Sequence, residues 1–428
     1  MTSVAIVSDT HFGDPLCCMC PKINGNYVFD YGYFHRFQEA LGDEGVDYLV
    51  LSGDVFDFSV ASQKDAYDAG KSFFTGLVIH PKTSEEKLLV KKGIIYLPGN
   101  HDYSFWSWVE HQMNIINNMT AGNPLGDYRY AVPCVLDLRK RQSRYELYLA
   151  GVTRNPDGKR PYGVFFLETL TRKKIPFIVA YPNLYLVTDS GTTLVTHGQY
   201  IEDYWALISD YGPLILKDDF PAKKPFTMKE LVGVNVPANE LASTAIGQAG
   251  CLTDFIREFQ RKMKDGKIEK LKEYIKNLQG EVLDPALKYR PCDLREPLTD
   301  LALWFAKKRL LKAVEEYRRT RGNTKLLASA KAQERFIRFF DACLMEIRQL
   351  NILPEYADTP IPKPDWVIYG HTHVPLGMDQ KPDTIPQYGT ELLFYNTGGW
   401  LYTDQTRRQI EGAVVFSFAQ GRFGSVRI

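Results

Sequence analysis

The sequence predicts a mixed α/β fold with two layers of β-sheet and helices on the outside. Short apolar runs alternate with amphipathic stretches over residues 1–100, which is typical of strands and helices in turn. Turn-rich apolar runs follow between residues 126 and 196 and again after residue 390. A segment with helical periodicity, residues 205–356, separates these regions.

The first elements are predicted to alternate strand, helix, strand. Each strand is followed by a polar cluster: Val4–Val7 by Asp9, Tyr48–Leu51 by Asp54, and Ile94–Leu97 by Asn100. The stretches Tyr33–Leu41 and Lys64–Ile79 are predicted as the connecting helices. Because parallel strands end at a common sheet edge, we expect the polar clusters to lie close together.

The later elements are predicted to be hairpins and strands, with turns at 155–158 and at Asp189–Gly191. The run Thr193–Thr196 ends before His197. Two or three further strands are predicted in the runs Leu392–Tyr395, Gly412–Phe418 and Phe423–Ile428.

Residues 205–356 are predicted to be a helical insertion, a cap or side domain, in an α/β core made of 1–204 and 357–428. Apolar residues recur at helical spacing in three stripes, over 252–263, 268–278 and 336–350. Such stripes indicate amphipathic helices that pack on one another or on the core.

The composition is that of an ordinary globular protein, with 44% hydrophobic and 24% charged residues. A formal net charge of +1 gives no overall basic field for nucleic acid, so a nucleic-acid partner is not favoured. We expect no leader and no membrane-spanning segment. Seven cysteines, an odd number, indicate reduced thiols and a cytoplasmic location. Cys17, Cys18 and Cys20 are expected to be loop thiols, with a zinc site as the alternative.

Five of the eight histidines fall in short clusters with Asp and Asn. In chain order the clusters are Asp9-x-His11, Gly53-Asp54, Gly99-Asn100-His101-Asp102, His197-Gly198 and Gly370-His371-x-His373. Alone, each is a common turn sequence. Together they offer oxygen and nitrogen ligands without a thiolate, which is the donor set of a two-metal hydrolase.

Two metal ions that lie about 3.5–4 Å apart repel each other and need a bridging anion. Asp54 is predicted to be that bridge. The other predicted ligands are Asp9, His11 and His373 for one metal and Asn100, His197 and His371 for the second.

His101 directly follows a predicted ligand, so it cannot readily reach the same ion. It is predicted to protonate the leaving oxygen. Asp57 is predicted to orient His101 and keep it protonated. Arg154 is a candidate phosphate contact.

On these motifs the chain resembles the calcineurin-like metallophosphoesterases, over about residues 1–200 and 360–428. The resemblance implies a four-layer α/β/β/α sandwich, a dinuclear metal site and the ligand roles given above. The layout is most similar to the UDP-diacylglucosamine pyrophosphohydrolase-like branch. His101 and Gln199 depart from that branch, which has Arg and Asp there, so its lipid substrate is not carried over.

The predicted function is hydrolysis of a phosphodiester, pyrophosphate or phosphomonoester bond in a small substrate by a hydroxide that two divalent metals activate. Manganese is expected, with iron, zinc, nickel or magnesium as alternatives, because this ligand set does not choose between them. A nuclease of the same family and a non-catalytic scaffold are the alternative functions. A protein phosphatase is disfavoured, because Phe58 stands where that subgroup has Arg and Asp102 where it has Glu.

Overall fold

The computed structural model describes residues 2–80, 84–139, 146–150, 165–202, 205–206, 209–210, 226–244, 327 and 329–428. The predicted turn at 155–158 and the apolar stripes 252–263 and 268–278 lie outside these residues. Among the described residues, none of the helices combines the length and the apolar character that crossing a membrane requires.

The predicted strands and helices that fall on described residues are present in the predicted order, and further elements lie between them. The strands are β1 (Val4–Val7), β2 (Lys22–Ile23), β3 (Asn26–Tyr27), β4 (Val46–Ser52), β5 (Val90–Leu97), β6 (Cys134–Asp137), β7 (Leu147–Leu149), β8 (Phe177–Val179), β9 (Asn183–Thr188), β10 (Gly191–Thr196), β11 (Pro364–Tyr369), β12 (Leu393–Asn396), β13 (Gly398–Tyr402), β14 (Ile410–Ala419) and β15 (Arg422–Arg427). The helices are α1 (Tyr31–Leu41), α2 (Gln63–Gly76), α3 (Ser104–His111), α4 (Asn117–Ala121), α5 (Phe165–Leu170), α6 (Met228–Thr244) and α7 (Ala330–Leu350), with a π-helical turn at Gln112–Ile116 and a 3₁₀ turn at Gln199–Ile201.

Two large sheets form the centre of the molecule. The first has the order β13-β14-β1-β4-β5-β8, with β15 also paired to β14, and the second has the order β12-β11-β10-β9-β6-β7. Strands β1, β4, β5 and β8 are parallel neighbours, as are β10, β11 and β12. The predicted hairpin at Asp189–Gly191 is present as the antiparallel pair β9–β10.

The sheets face each other and carry helices outside. Across the interface, Tyr395 on β12 contacts Phe416 on β14, with ring centroids 6.1 Å apart. On the first sheet's outer side, Phe37 of α1 lies 6.2 Å from Trp400 of β13. On the second sheet's outer side, Phe336 of α7 lies 4.7 Å from Phe394 of β12. This is the α/β/β/α sandwich that the sequence predicted.

Local sequence explains where the helices begin. Asp30 caps α1 by accepting from the backbone N–H groups of Gly32 and Tyr33, and Ser62 caps α2 through Asp65 N–H. Helix α7 contains the third predicted apolar stripe, and its Phe336, Phe339, Phe340, Cys343, Ile347 and Leu350 are all buried. The division into a core and an insertion at 205–356 remains a prediction.

Candidate metal centre

The predicted ligands converge where parallel strands of both sheets end. Asp9 follows β1 and Asp54 follows β4, and the Asp9 N–H donates to the Gly53 carbonyl at 3.0 Å. The second sheet meets this edge through His371, whose N–H donates to both Asp9 carboxylate oxygens at 3.1 Å. We call Asp9, His11, Asp54, Asn100, His197, His371 and His373 the sheet-edge cluster.

The backbone of this cluster is strained. Five of its residues have positive φ, a region that non-glycine residues rarely adopt: Asp9 (55°), His11 (49°), Asp54 (51°), His371 (68°) and His373 (56°). Each such residue costs about 1–3 kcal/mol and persists where the surrounding structure enforces it, which is common at functional sites.

Two glycines allow the strand ends to approach this closely. A Cβ atom at Gly99 would overlap the carboxylate of Asp54, and one at Gly370 would overlap the side chains of Asp9 and Ser8. A larger residue at either position would push a carboxylate out of the cluster.

The first group of potential ligands is Asp9, His11 and His373, whose donor atoms lie within 4.8 Å of one another. The Nε2 atoms of His11 and His373 are 3.0 Å apart, and Asp9 Oδ1 lies 3.3 Å from His373 Nε2. Two imidazole nitrogens bound at right angles about 2.1 Å from one ion would be separated by about 3.0 Å. The spacing therefore fits a shared metal ion.

The second group is Asp54, His197 and His371, again with donor atoms within 4.8 Å. His197 Nε2 lies 3.1 Å from Asp54 Oδ2 and 3.1 Å from the amide oxygen of Asn100. The Nδ1 atom of His371 is buried and has no hydrogen-bond partner among the described residues. A buried nitrogen without a partner is costly unless it binds an ion, so it also fits a metal site.

Asp54 lies between the two groups. Its Oδ1 accepts the backbone N–H of His101 at 2.8 Å, whereas its Oδ2 is 3.1 Å from His197 Nε2 and 3.9 Å from His11 Nε2. One oxygen of the carboxylate therefore faces ligands of both groups.

Opposite charges hold the cluster together. Burial alone raises the pKa of Asp54 and lowers that of His197, but their mutual attraction reverses both shifts. The pKa of Asp54 falls well below its ordinary value, and the pKa of His197 rises to about 9. The pKa of buried His373 also rises to about 9, because Glu411 and Asp9 favour its charged form. The carboxylates are thus ionised, and a cation that binds here would displace protons from the charged histidines.

His101 and Asp57 form a pair beside the cluster. His101 Nδ1 lies 2.9 Å from Asp57 Oδ1, and Ser59 Oγ donates to the same oxygen at 2.5 Å. The other oxygen of Asp57 accepts from His11 Nδ1 at 3.0 Å. Asp57 therefore holds both His101 and a predicted ligand, and the sequence indicated only the first contact.

Asp102 anchors the loop that carries Asn100 and His101. Its carboxylate accepts the backbone N–H groups of Val55 at 2.8 Å and Gly99 at 2.6 Å. Burial and the charge of Asp54 raise the pKa of Asp102 to about 6.

Three residues that contact this site are not among the predicted site residues. Ser59 touches the His101–Asp57 pair, and Glu202 and Glu411 each contact a histidine of the Gly-His-x-His motif. Glu202 follows His197 by five positions, but no spacing rule identifies it, and Glu411 belongs to no motif. The candidate phosphate contact Arg154 lies outside the described residues.

The cysteines near the N-terminus lie in the buried core. Cys17, Cys18 and Cys20 are buried and free, and none joins a potential metal-binding group among the described residues. Burial raises the pKa of the Cys20 thiol to about 12, so it stays protonated.

Comparison with known proteins identifies the family. The family model for calcineurin-like phosphoesterases matches residues 2–227, more than half of the chain. The chain belongs to this family. A search of curated proteins found no match. The matched range includes Asp9 through His197, while His371 and His373 lie beyond it and join the cluster through the fold. The family match does not select the UDP-diacylglucosamine branch, and that resemblance remains a prediction.

Proposed function

We propose that this protein hydrolyses phosphate esters, either a phosphodiester, a pyrophosphate or a phosphomonoester, with two divalent metal ions. The observation that carries the proposal is the position of Asp54, whose Oδ2 faces donor atoms of both ligand groups. A carboxylate between two nitrogen-rich groups is what a dinuclear site requires.

Seven residues would hold the ions. Asp9, His11 and His373 would bind one, Asn100, His197 and His371 would bind the other, and Asp54 would bind both. The bound pair would supply a nucleophile at neutral pH and neutralise the phosphoryl oxygens. Manganese is our expectation, with iron, zinc, nickel or magnesium as alternatives.

His101 would supply the proton. Its imidazole is the most exposed in the site, at 21%, and its Nε2 lies 3.9 Å from Asp54 Oδ2, so it can reach a substrate bound at the ions. Asp57 holds the opposite nitrogen, which directs the Nε2 proton towards the leaving oxygen. The charge of nearby imidazoles keeps the pKa of Asp57 low despite its burial, so it remains a hydrogen-bond acceptor.

The substrate is proposed to be small and the location cytoplasmic, on the sequence arguments above. Residues 205–356 are proposed to form a helical insertion, a cap or side domain, in the core 1–204 and 357–428. Since α7 packs on the second sheet, at least this end of the proposed domain is joined to the core.

The test is hydrolysis of bis-p-nitrophenyl phosphate and p-nitrophenyl phosphate in the presence of Mn²⁺. We expect the Asp54→Asn variant to lose activity by about a thousandfold, because several kcal/mol of charge stabilisation is removed. The exposed Asp43→Asn variant is the matched control and should retain wild-type activity. Full activity in Asp54→Asn would contradict the proposal, and the ratio of the two rates would identify the preferred bond.

A further inference from the structure

Each predicted histidine ligand has a hydrogen-bond acceptor at the ring nitrogen that faces away from the proposed metals. For His11 the acceptor is Asp57, and for His197 it is the backbone carbonyl of Ser52 at 3.0 Å. Both of these acceptors lie on β4 or in the loop that follows it. The other two histidines use glutamates that belong to no motif.

The two glutamates contact different nitrogens. Glu202 Oε2 lies 2.5 Å from Nε2 of His371, whereas Glu411 Oε2 lies 2.6 Å from Nδ1 of His373. The histidines are two residues apart, and both have positive φ.

The remaining nitrogens face different ligand groups. His371 Nδ1 is the buried atom without a partner among the described residues, and its group contains Asp54 and His197. His373 Nε2 lies beside Asp9 and His11. The same tripeptide therefore offers Nδ1 at one metal position and Nε2 at the other.

A carboxylate beside one ring nitrogen can determine which nitrogen of the imidazole binds the metal. A metal ion binds the neutral imidazole and displaces any additional proton. The neutral ring has one N–H donor and one acceptor nitrogen, and an ionised carboxylate only accepts. The nitrogen that faces the glutamate must then carry the hydrogen, which leaves the lone pair of the opposite nitrogen for a metal.

The fold leaves room for the contact between Glu411 and His373. Gly399 on β13 lies against His373 and Glu411, and a Cβ atom there would come within 2.7 Å of the His373 ring and 3.1 Å of Glu411 Oε2. The absence of a side chain at this position lets the carboxylate reach the imidazole.

We propose that Glu202 and Glu411 are positioning residues that fix opposite tautomers of His371 and His373, an inference that rests on the proposed metal-dependent function. Glu202 sets His371 to bind through Nδ1 at the position shared with His197. Glu411 sets His373 to bind through Nε2 at the position shared with His11.

The test is Mn²⁺ binding to the metal-free protein, by calorimetric titration and by EPR, which distinguishes a pair of interacting Mn²⁺ ions from a single ion. Glu202→Ala and Glu411→Ala should each weaken one of two sites by roughly 10- to 100-fold and leave the other unchanged. Glu202→Gln and Glu411→Gln keep an acceptor oxygen and should recover part of the affinity. Glu39→Ala, which removes an exposed glutamate beside His35, is the matched control.

Double variants separate positioning from a structural effect. In a His373→Ala background, Glu411→Ala should cause no further loss of Mn²⁺ affinity, whereas in a His371→Ala background it should weaken the remaining site. Two ions bound at wild-type affinity in both glutamate variants would overturn the positioning role of the glutamates and leave the proposed function in place. A wild-type protein that binds fewer than two ions would overturn the proposed function with it.

Discussion

The sheet-edge cluster and the polar cluster beneath α7 both bury carboxylates, but their neighbours differ. Beneath α7, Glu346 accepts from the Tyr185 hydroxyl at 2.7 Å and from the Asn183 amide at 3.3 Å, with the Cys343 thiol alongside. These donors are neutral. In the sheet-edge cluster the carboxylates face imidazoles.

The two environments shift the pKa values of their buried carboxyl groups in opposite directions. Burial raises the pKa of Glu346 to about 7, because neutral hydrogen bonds offset only part of the desolvation. At the sheet edge, imidazole charges outweigh the same penalty and the pKa of Asp9 is held low. Burial therefore does not identify a cation site, whereas buried carboxylates that stay ionised beside metal-binding nitrogens do.

A large loss of activity is expected for His101→Ala, which removes the proposed proton donor beside the sheet-edge cluster. Without the proton donor, kcat should fall by roughly 10²- to 10⁴-fold. The seven residues of the sheet-edge cluster are unchanged in this variant, so two Mn²⁺ ions should still bind. Steady-state kinetics and a Mn²⁺ titration on the same preparation check both expectations. Loss of a metal ion together with activity would mean that His101 is a ligand and not an acid.

The sequence predicted the sheet-edge cluster because its signals are local. Each ligand follows a strand whose apolar pattern is readable, and parallel pairing brings those strand ends together. It predicted the Asp57–His101 pair from their motifs, but not the bond from Asp57 to His11, which depends on how β1 and β4 align.

Contacts without a local signal could not be predicted. Glu202 and His371 are 169 positions apart, and Tyr185 and Glu346 are 161 positions apart. In both cases the packing of separate elements determines which residues come into contact. The apolar stripe of α7 predicted a helix, but not that its Glu346 would turn towards β9.

A smaller effect, on thermal stability, is expected for Glu346→Gln in the polar cluster beneath α7. An acid whose pKa is raised on folding lowers stability as pH rises from its unfolded value of 4.5 through about 7, since only the unfolded chain releases the proton there. A shift of this size corresponds to roughly 3 kcal/mol at most. The variant should therefore gain thermal stability relative to wild type at pH 8 and little at pH 5.

Thermal melts at pH 5, 6.5 and 8 measure this difference. Glu334→Gln, an exposed change on the same helix, is the matched control. A Glu346→Gln protein whose melting temperature differs from wild type by the same amount at every pH would show that Glu346 does not titrate in this range.

The smallest effect is expected for Ser59→Ala, next to the His101–Asp57 pair. Ser59 Oγ donates to Asp57 Oδ1 and lies 2.8 Å from His101 Nδ1, so its loss leaves the pair in place but less well oriented. Removing one hydrogen bond to a charged group is worth about 1.5 kcal/mol, which corresponds to about a tenfold fall in kcat. Ser62→Ala removes the cap of α2 and should lower stability by about 1 kcal/mol without changing kcat. Equal kinetics for the two variants would mean that Ser59 supports the loop and not the proton donor.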